Sequence, residues 1–372
     1  MRLEALEIVN FKNIPESSLE FSEGVNCFVG SNGMGKSNLL EAVYYLAMIR
    51  SFLGLPDSEI IRHGATQMMV QGRFRNGDGP EAPKLEVSVG YVAGRRKGLR
   101  IDGKECKRFS DHIGTIPLVM VSPQDHMLVT GSPEERRRLL DLAISQADRT
   151  YLQHLIRFGE NLKQRNAMLR QGIDDRLLME SLEAGMAETA APIVATRAAW
   201  TERMREPFGR YYARISGQRE TASMSYKPSY SPDEGLLPAL ERSRARDSLL
   251  GFNTVGPHRD DLEMTLDGYP LRRTGSQGQL KSFTVALRLA LFEDLNKHTS
   301  SRPLLLLDDI FDKLDAPRVE AIVAAVSDTD AFGQIFITDT NRKHIDSILR
   351  TTAGSYRLFG VEEGHYKLLT KR

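Results

Sequence analysis

The 372-residue chain predicts an α/β fold: a mixed β-sheet around a phosphate-loop core, an antiparallel β subdomain and an inserted helical arm. Three observations predict it. Gly30-Ser31-Asn32-Gly33-Met34-Gly35-Lys36-Ser37 fits the G-x-x-x-x-G-K-[ST] phosphate loop at every position. Near the other end, the apolar run Leu304–Leu307 leads into paired carboxylates, Asp308 and Asp309. Between them lies a long stretch with helical rather than strand periodicity.

Residues 1–30 alternate through Leu6, Ile8, Phe21, Val25, Cys27 and Val29, as strands leading into the loop would, and Leu3, Ala5, Glu7 and Val9 alternate as well. Residues 38–50 carry apolar positions at helical spacing, which completes the strand–loop–helix context that the motif requires. From about 68 to 121, short alternating runs are broken by Asn76-Gly77, Asp78-Gly79 and Asp102-Gly103, which are hairpin signals. Ser132-Pro133-Glu134-Glu135 then starts a helix, with a cap residue, a proline at the first helical position and early acids. A second helical stretch runs from about Asp174 to Ile215, and linker composition returns at 227–234. The head is therefore expected at 1–130 and 251–372, and the arm at 131–250. After Gly251 strand patterning resumes, with Asp267-Gly268 as a hairpin turn.

Length suggests roughly two to three domains, and 41% apolar content supplies a core. Net charge is +1, so nucleic-acid binding has to rest on local patches. Two cysteines, Cys27 and Cys106, make no disulfide framework. The alternating N-terminus lacks the plan of a signal peptide, and no apolar run approaches the roughly 20 residues that span a bilayer. The reading is a soluble, cytoplasmic protein with no membrane partner.

The chemistry is assigned residue by residue. In Gly30, Ser31, Asn32, Gly33, Met34 and Gly35, the glycines let backbone N–H groups turn around phosphate oxygens, and the following helix, from Lys36, Ser37 and Asn38, aims its N-terminus at the same anion. Lys36 reaches the β- and γ-phosphates of ATP, and Ser37 ligates Mg²⁺. Asp308 is a direct or indirect Mg²⁺ partner, and Asp309 is placed to polarise the attacking water. Gln124, in Ser122-Pro123-Gln124-Asp125, stands at a strand-to-helix junction where an amide can sense Mg²⁺ and water, although an ordinary loop glutamine fits there too. His258-Arg259-Asp260-Asp261 matches no common zinc spacing and reads as a structural or interface cluster.

Ser276-Gln277-Gly278-Gln279 opens a helix about 30 residues before Asp308. With the phosphate loop and the acidic strand it marks an ABC-type ATPase head. In such a head Ser276, Gly278 and Gln279 would bind the γ-phosphate held by another subunit and not their own, so an ATP-dependent homodimer is expected. Leu314-Asp315 matches the dimer-contacting loop after the acidic strand. Basic clusters give the hint of DNA: seven Lys or Arg between Arg95 and Arg108 make a local net of +5, with Arg95, Arg96 and Lys97 foremost, and Arg136-Arg137-Arg138 adds a second group. Solvated hairpins and helix faces carry the same composition.

Several segments together resemble the RecF family of bacterial recombinational-repair ATPases. They are Asn10-Phe11-Lys12-Asn13, the phosphate loop, Ser122-Pro123-Gln124-Asp125, Gly131-Ser132-Pro133-Glu134-Glu135-Arg136-Arg137-Arg138, Gly256-Pro257-His258-Arg259-Asp260-Asp261, the Ser276 signature and Leu307-Asp308-Asp309. The resemblance implies an ABC head related to SMC proteins with a short helical arm. It also implies ATP-dependent dimerisation, weak DNA-dependent ATPase activity, DNA binding near single-strand/double-strand junctions, and work with RecO and RecR to load RecA at gaps. Two departures stand out. Ser51-Phe52-Leu53 replaces a more polar stretch, and Thr340 aligns with the switch histidine of transporter heads, so slow hydrolysis is expected. A transporter motor, a long SMC-type tether and a small-molecule kinase fit less well, because the arm of about 120 residues and the signature together suit none of them.

Overall fold

The computed structural model describes residues 1–77, 79, 81–312, 314–326, 329–352 and 354–372. The chain opens with β1 (Arg2–Phe11), β2 (Ile14–Glu20) and β3 (Val25–Val29), then α1 (Lys36–Met48) and the single turn α2 (Asp57–Ile60). Next come β4 (Gln67–Arg75), β5 (Lys84–Val92), β6 (Gly98–Ile101), β7 (Lys104–Glu105) and β8 (Leu118–Val121). The helical stretch holds α3 (His126–Thr130), α4 (Pro133–Ala147), α5 (Arg149–Gln171), α6 (Arg176–Ser216) and α7 (Leu236–Leu250), with β9 (Ala222–Lys227) before the last. β10 (Asp261–Leu266), β11 (Tyr269–Pro270), α8 (Leu271–Thr274) and α9 (Gln277–His298) follow. The chain then runs through β12 (Leu304–Asp308), α10 (Ala316–Val326), α11 (Thr329–Phe332), β13 (Ile335–Asp339) and α12 (Arg342–Thr351) to the hairpin β14 (Tyr356–Glu362) and β15 (His365–Lys371).

Contacts divide the chain into two compact units. The first comprises 1–125, 214–217 and 284–372, the second 126–213 and 218–283. In the first unit an antiparallel sheet has the order β2-β1-β4-β5-β6-β7, and a mixed sheet has the order β15-β14-β3-β13-β12-β8. The inner strands of the mixed sheet, β3, β13 and β12, are buried along most of their length and accordingly read as apolar runs. Helix α1 packs against strands of both sheets. It is apolar nearly all round for that reason, with Leu39 to Met48 buried. A register shift between Leu3 and Ala5 changes which residues of β1 face the core: Leu6 and Ile8 are fully buried while Glu7 and Val9 are not. The Leu3–Val9 alternation read from the sequence thus belongs to the wrong face after the bulge.

Asp102-Gly103 closes the β6–β7 hairpin with φ of 49° and 76°, and Asp267-Gly268 closes β10–β11 with 48° and 81°. Both pairs are the left-handed two-residue turns that suit a twisted hairpin. Asn76-Gly77 lies in the longer β4–β5 connection, and Asp78 of the third signal lies outside the described residues.

The second unit differs from the purely helical arm expected at 131–250. Residues 222–227 alternate and form β9, which pairs antiparallel with β10 from Asp261↔Lys227 to Leu266↔Ala222. That pairing carries 218–283 into the second unit, so the signature residues group with it and not with the first. Helix α6 spans 41 residues, roughly 60 Å at the usual rise. Its partners are fixed by buried charge. Arg165 is wholly buried among Glu183, Asp247 and Asn253, and Arg197 bonds Asp141 and Asp260 at 2.8 and 3.0 Å. Asp260 also accepts the Ser229 N–H at 2.8 Å, and Asp261 takes a bidentate bond from Arg136. The His258–Asp261 cluster is therefore structural. Among the described residues no helix is long and apolar enough to cross a membrane.

His258 itself is largely buried, and its Nδ1 has no hydrogen-bond partner. Burial pushes its pKa down from 6.5 to about 4. The native state thus excludes a proton that the unfolded chain binds, and the stability this confers, present above pH 6.5, is lost as pH falls through 4. The expected loss reaches about 3 kcal/mol. Urea unfolding at pH 7.5 and 4.5 measures it, and His258→Gln should show a visibly smaller difference between the two.

Candidate nucleotide-binding site

The parallel strands deliver their C-terminal ends to one edge of the mixed sheet. β12 pairs with β13 through Asp308↔Thr338 and with β8 through Leu307↔Val121, and β13 pairs with β3 through Asp339↔Val29. The loop at Gly30, the acids Asp308 and Asp309, Thr338 and Asp339, and the segment Ser122–Gln124 all emerge there. An open α/β sheet binds its ligands at that edge.

The loop is as tight as its glycines imply. A side chain at Gly30 would put Cβ 2.3 Å from the Val361 carbonyl oxygen, and Gly35 has φ 109° with Asn13 beside it. Asn13 donates to the Gly33 carbonyl at 3.3 Å and accepts from Asn38 at 2.7 Å. Behind the loop, the buried hydroxyl of Tyr366 donates to the Gly35 carbonyl at 2.8 Å, and the Gly364 N–H donates to the Met34 carbonyl at 2.8 Å. Helix α1 starts at Lys36 with Gly35 as its N-cap, no capping side chain and no acid in its first turn. Its first N–H groups and its dipole are thereby left for an anion. Lys36 Nζ folds back on the carbonyls of Gly30 and Ser31 at 2.7 and 2.8 Å. Burial lowers its pKa, and Asp309, Asp308 and Asp339 oppose that shift.

Opposite the loop, Asp308 is 5% exposed and doubly held. Its Oδ1 accepts from Ser37 Oγ at 2.7 Å and from Thr338 Oγ1 at 2.6 Å. Ser37 and Asp308 thus offer adjacent hydroxyl and carboxylate oxygens, a donor pair that fits a hard cation finishing its shell with water and phosphate oxygens. Among the described residues no group of three or more His, Cys, Asp or Glu forms an all-protein cage. Asp309, half-buried, adopts φ 45°, and its N–H donates to Thr338 Oγ1 at 3.2 Å. A non-glycine residue held there is constrained by its surroundings and not by preference.

Gln124 lies in the turn after β8, where its N–H donates to Ser122 Oγ at 3.2 Å. Asp125 anchors that turn: it accepts the Ser122 N–H and both Nε and Nη2 of the buried Arg288 on α9, at 3.1 and 2.6 Å. Thr340 is exposed at the end of β13, whereas the His344 Nδ1–H, in the first turn of α12, donates to Asp339 Oδ2 over 2.8 Å. Thr338, Tyr366 and Arg288 were not singled out from the sequence. The Ile-Thr-Asp-Thr strand end hints at Thr338, but nothing local points to the other two.

In the second unit, Ser276 caps α9. Its Oγ accepts the Gln279 N–H at 3.3 Å while Gln279 Oε1 accepts the Ser276 N–H at 2.7 Å, a reciprocal capping box. Ser276 is exposed, and Gly278 lies in the first turn behind it.

The basic residues divide. Arg95 and Arg96 are exposed on the β5–β6 connection, Arg96 lying 5.9 Å from the Phe109 ring centre. Lys97 is committed to Asp57 at 3.0 Å and to the Ile49 carbonyl at 2.5 Å. Arg136 corrects the sequence reading: it is 7% exposed and spends its guanidinium on Asp261 and the carbonyls of Leu128 and Gly131. Arg137 bonds the Asp260 carbonyl at 2.7 Å, and Arg138 is partly buried. Arg136 and Arg137 thus serve as a structural clasp on Asp260 and Asp261.

A phosphate loop and an acidic strand on one edge, with an antiparallel β subdomain and a signature that caps a helix, define an ABC-type ATPase head. The RecF/RecN/SMC N terminal domain family matches residues 2–364. The DNA replication and repair protein RecF of Porphyromonas gingivalis W83 is 46% identical over 366 residues, covering 98% of this chain and 99% of that protein. RecF of Bacteroides thetaiotaomicron is 44% identical over 367 residues, covering 98% of each. A solved structure described as the recombination mediator protein RecF-ATP in the RecFOR pathway superposes with a TM-score of 0.87 at 29% identity, over 99% of this chain and 98% of that one. An Smc head domain from Pyrococcus furiosus shares the fold at TM-score 0.60 and 18% identity, covering 100% of this chain and 96% of that one. The chain belongs to the RecF family.

Thr338→Val removes the hydroxyl that holds Asp308 and the Asp309 N–H with little change of shape. Urea unfolding should report a loss of about 1–3 kcal/mol, and a fluorescent nucleoside triphosphate should bind several-fold more weakly. Unchanged values in both would show that the hydroxyl does not organise the acids.

Proposed function

We propose that this protein is an ATP-gated dimeric DNA clamp of recombinational repair, binding DNA at single-strand gaps and ss–ds junctions and working with RecO and RecR to load RecA. The observation that carries the reading is the direct Ser37–Asp308 bond beside Lys36, which brings the two halves of a nucleotide site together. The relatives support the rest: they are DNA replication and repair proteins, and one is described with ATP in the RecFOR pathway.

The first turn of α1 and the loop N–H groups bind the phosphates, and Lys36 leaves the carbonyls of Gly30 and Ser31 to reach the β- and γ-phosphates. Ser37 and Asp308, together with Gln124 from the turn after the neighbouring strand β8, would hold Mg²⁺, which supplies charge neutralisation on the phosphates. Asp309, held in a left-handed backbone conformation, polarises the attacking water. Ser276, Gly278 and Gln279 of a second subunit close the site: because Ser276 Oγ already accepts from Gln279, its hydroxyl proton is free to donate to a phosphate oxygen. Thr340 supplies no imidazole at its position, which favours slow turnover. DNA then meets the exposed guanidiniums of Arg95 and Arg96 on each subunit, two modest patches that add in the dimer.

Light scattering should show a shift from monomer to dimer on adding Mg²⁺-ATP. Lys36→Met should abolish nucleotide binding, while Ser276→Arg should bind nucleotide and stay monomeric. Equal dimers in both variants would sink the composite site.

If each complex neutralises about four phosphates, DNA affinity should fall roughly tenfold when salt is doubled. Replacing Arg95 and Arg96 together by Glu should weaken DNA binding without touching ATP-driven dimerisation. An unchanged affinity would move the footprint elsewhere.

A further inference from the structure

The signature serine is wired to the arm by one carboxylate. Glu220, partly buried between the end of α6 and β9, accepts the Tyr212 hydroxyl at Oε2 over 2.6 Å. Its Oε1 accepts the Gln279 side-chain amide nitrogen, also over 2.6 Å. A carboxylate only accepts, so it fixes which end of the Gln279 amide faces it. The amide oxygen is thereby presented to the Ser276 N–H at 2.7 Å, completing the capping box. Beside this polar chain, Phe283 of α9 packs on Phe208 and Tyr212 of α6, with ring centres 4.7 and 6.1 Å apart. Tyr212 is 1% exposed and cannot move independently of that cluster.

We propose that Glu220 is a positioning residue for nucleotide-driven dimerisation, linking the long arm helix through Tyr212 to the orientation of Gln279 and Ser276. The proposal rests on the composite-site reading. In it, Ser276 meets the partner's γ-phosphate while its backbone N–H is held by the Gln279 side-chain oxygen and its hydroxyl oxygen by the Gln279 backbone N–H. A displacement of α6, where the arm is loaded by DNA or by a protein, then changes how readily the partner's nucleotide is capped. Glu220 touches no phosphate itself.

The test compares wild type with Glu220→Ala, Glu220→Gln and Tyr212→Phe. Fluorescent ATP binding at protein concentrations below dimerisation reads each subunit's own phosphate loop; sedimentation with Mg²⁺-ATP reads the dimer. Glu220→Ala should bind nucleotide within about twofold of wild type yet dimerise about tenfold more weakly, the size of one lost charge-assisted hydrogen bond. Glu220→Gln, whose carbonyl accepts from Gln279 and whose amide donates to Tyr212, should recover dimerisation to within about threefold. Tyr212→Phe should give an intermediate loss with nucleotide binding intact. Should Glu220→Ala lose nucleotide binding through misfolding, the Gln and Phe variants decide the matter alone. A wild type that ignores ATP overturns the composite site itself. A wild type that dimerises while Tyr212→Phe dimerises equally well, or Glu220→Gln fails to exceed Glu220→Ala, overturns the Glu220 link and leaves the composite site standing.

Discussion

The 2.7 Å hydrogen bond from Ser37 to Asp308 joins residues 271 positions apart. It closes only because β3, β13 and β12 are parallel and in register, so that the phosphate loop and the acidic strand end on one edge. Thr338 enters from the strand between them and binds Asp308 as well. A buried carboxylate without such donors would be costly; here two hydroxyls hold it beside the loop. The left-handed backbone of Asp309 belongs to the same arrangement, with its N–H drawn back to Thr338.

The second unit is organised by a different device. Arg165 of α5 and Arg197 of α6 are buried among carboxylates supplied by α4, α6 and α7 and by the segment before β10. Such pairs add little net stability compared with well-packed apolar groups, but removing one partner strands a charge. Their use here is to fix how the helices meet. The Gly-Pro-His-Arg-Asp-Asp segment belongs to this scheme: Asp260 and Asp261 are the anions that Arg197 and Arg136 require.

These two devices bear on one reaction from different sides. In the proposed mechanism the first unit supplies phosphate binding and water activation, and the second presents the serine that a partner's nucleotide needs. The Tyr212–Glu220–Gln279 chain ties the long arm helix to the residue that completes the signature's capping box.

The sequence alone determined whatever is local in the chain. Gly30–Ser37 declares itself because backbone geometry and anion binding demand those residues in that order, and Leu304–Asp309 because a buried parallel strand is apolar until it ends. The Asp-Gly hairpins and the helix that Ser276 caps are legible for the same reason. Tertiary structure decided what depends on distant partners. Arg136 looks like a basic patch until Asp261, 125 residues on, claims it, and Lys97 does until Asp57 does. The face of β1 hung on a bulge, and the place of residues 251–283 on the pairing of β10 with β9. Tyr366, Arg288 and Glu220 carry no local pattern at all, because a side chain acquires a role of that kind only when folding brings its hydrogen-bond partner within reach.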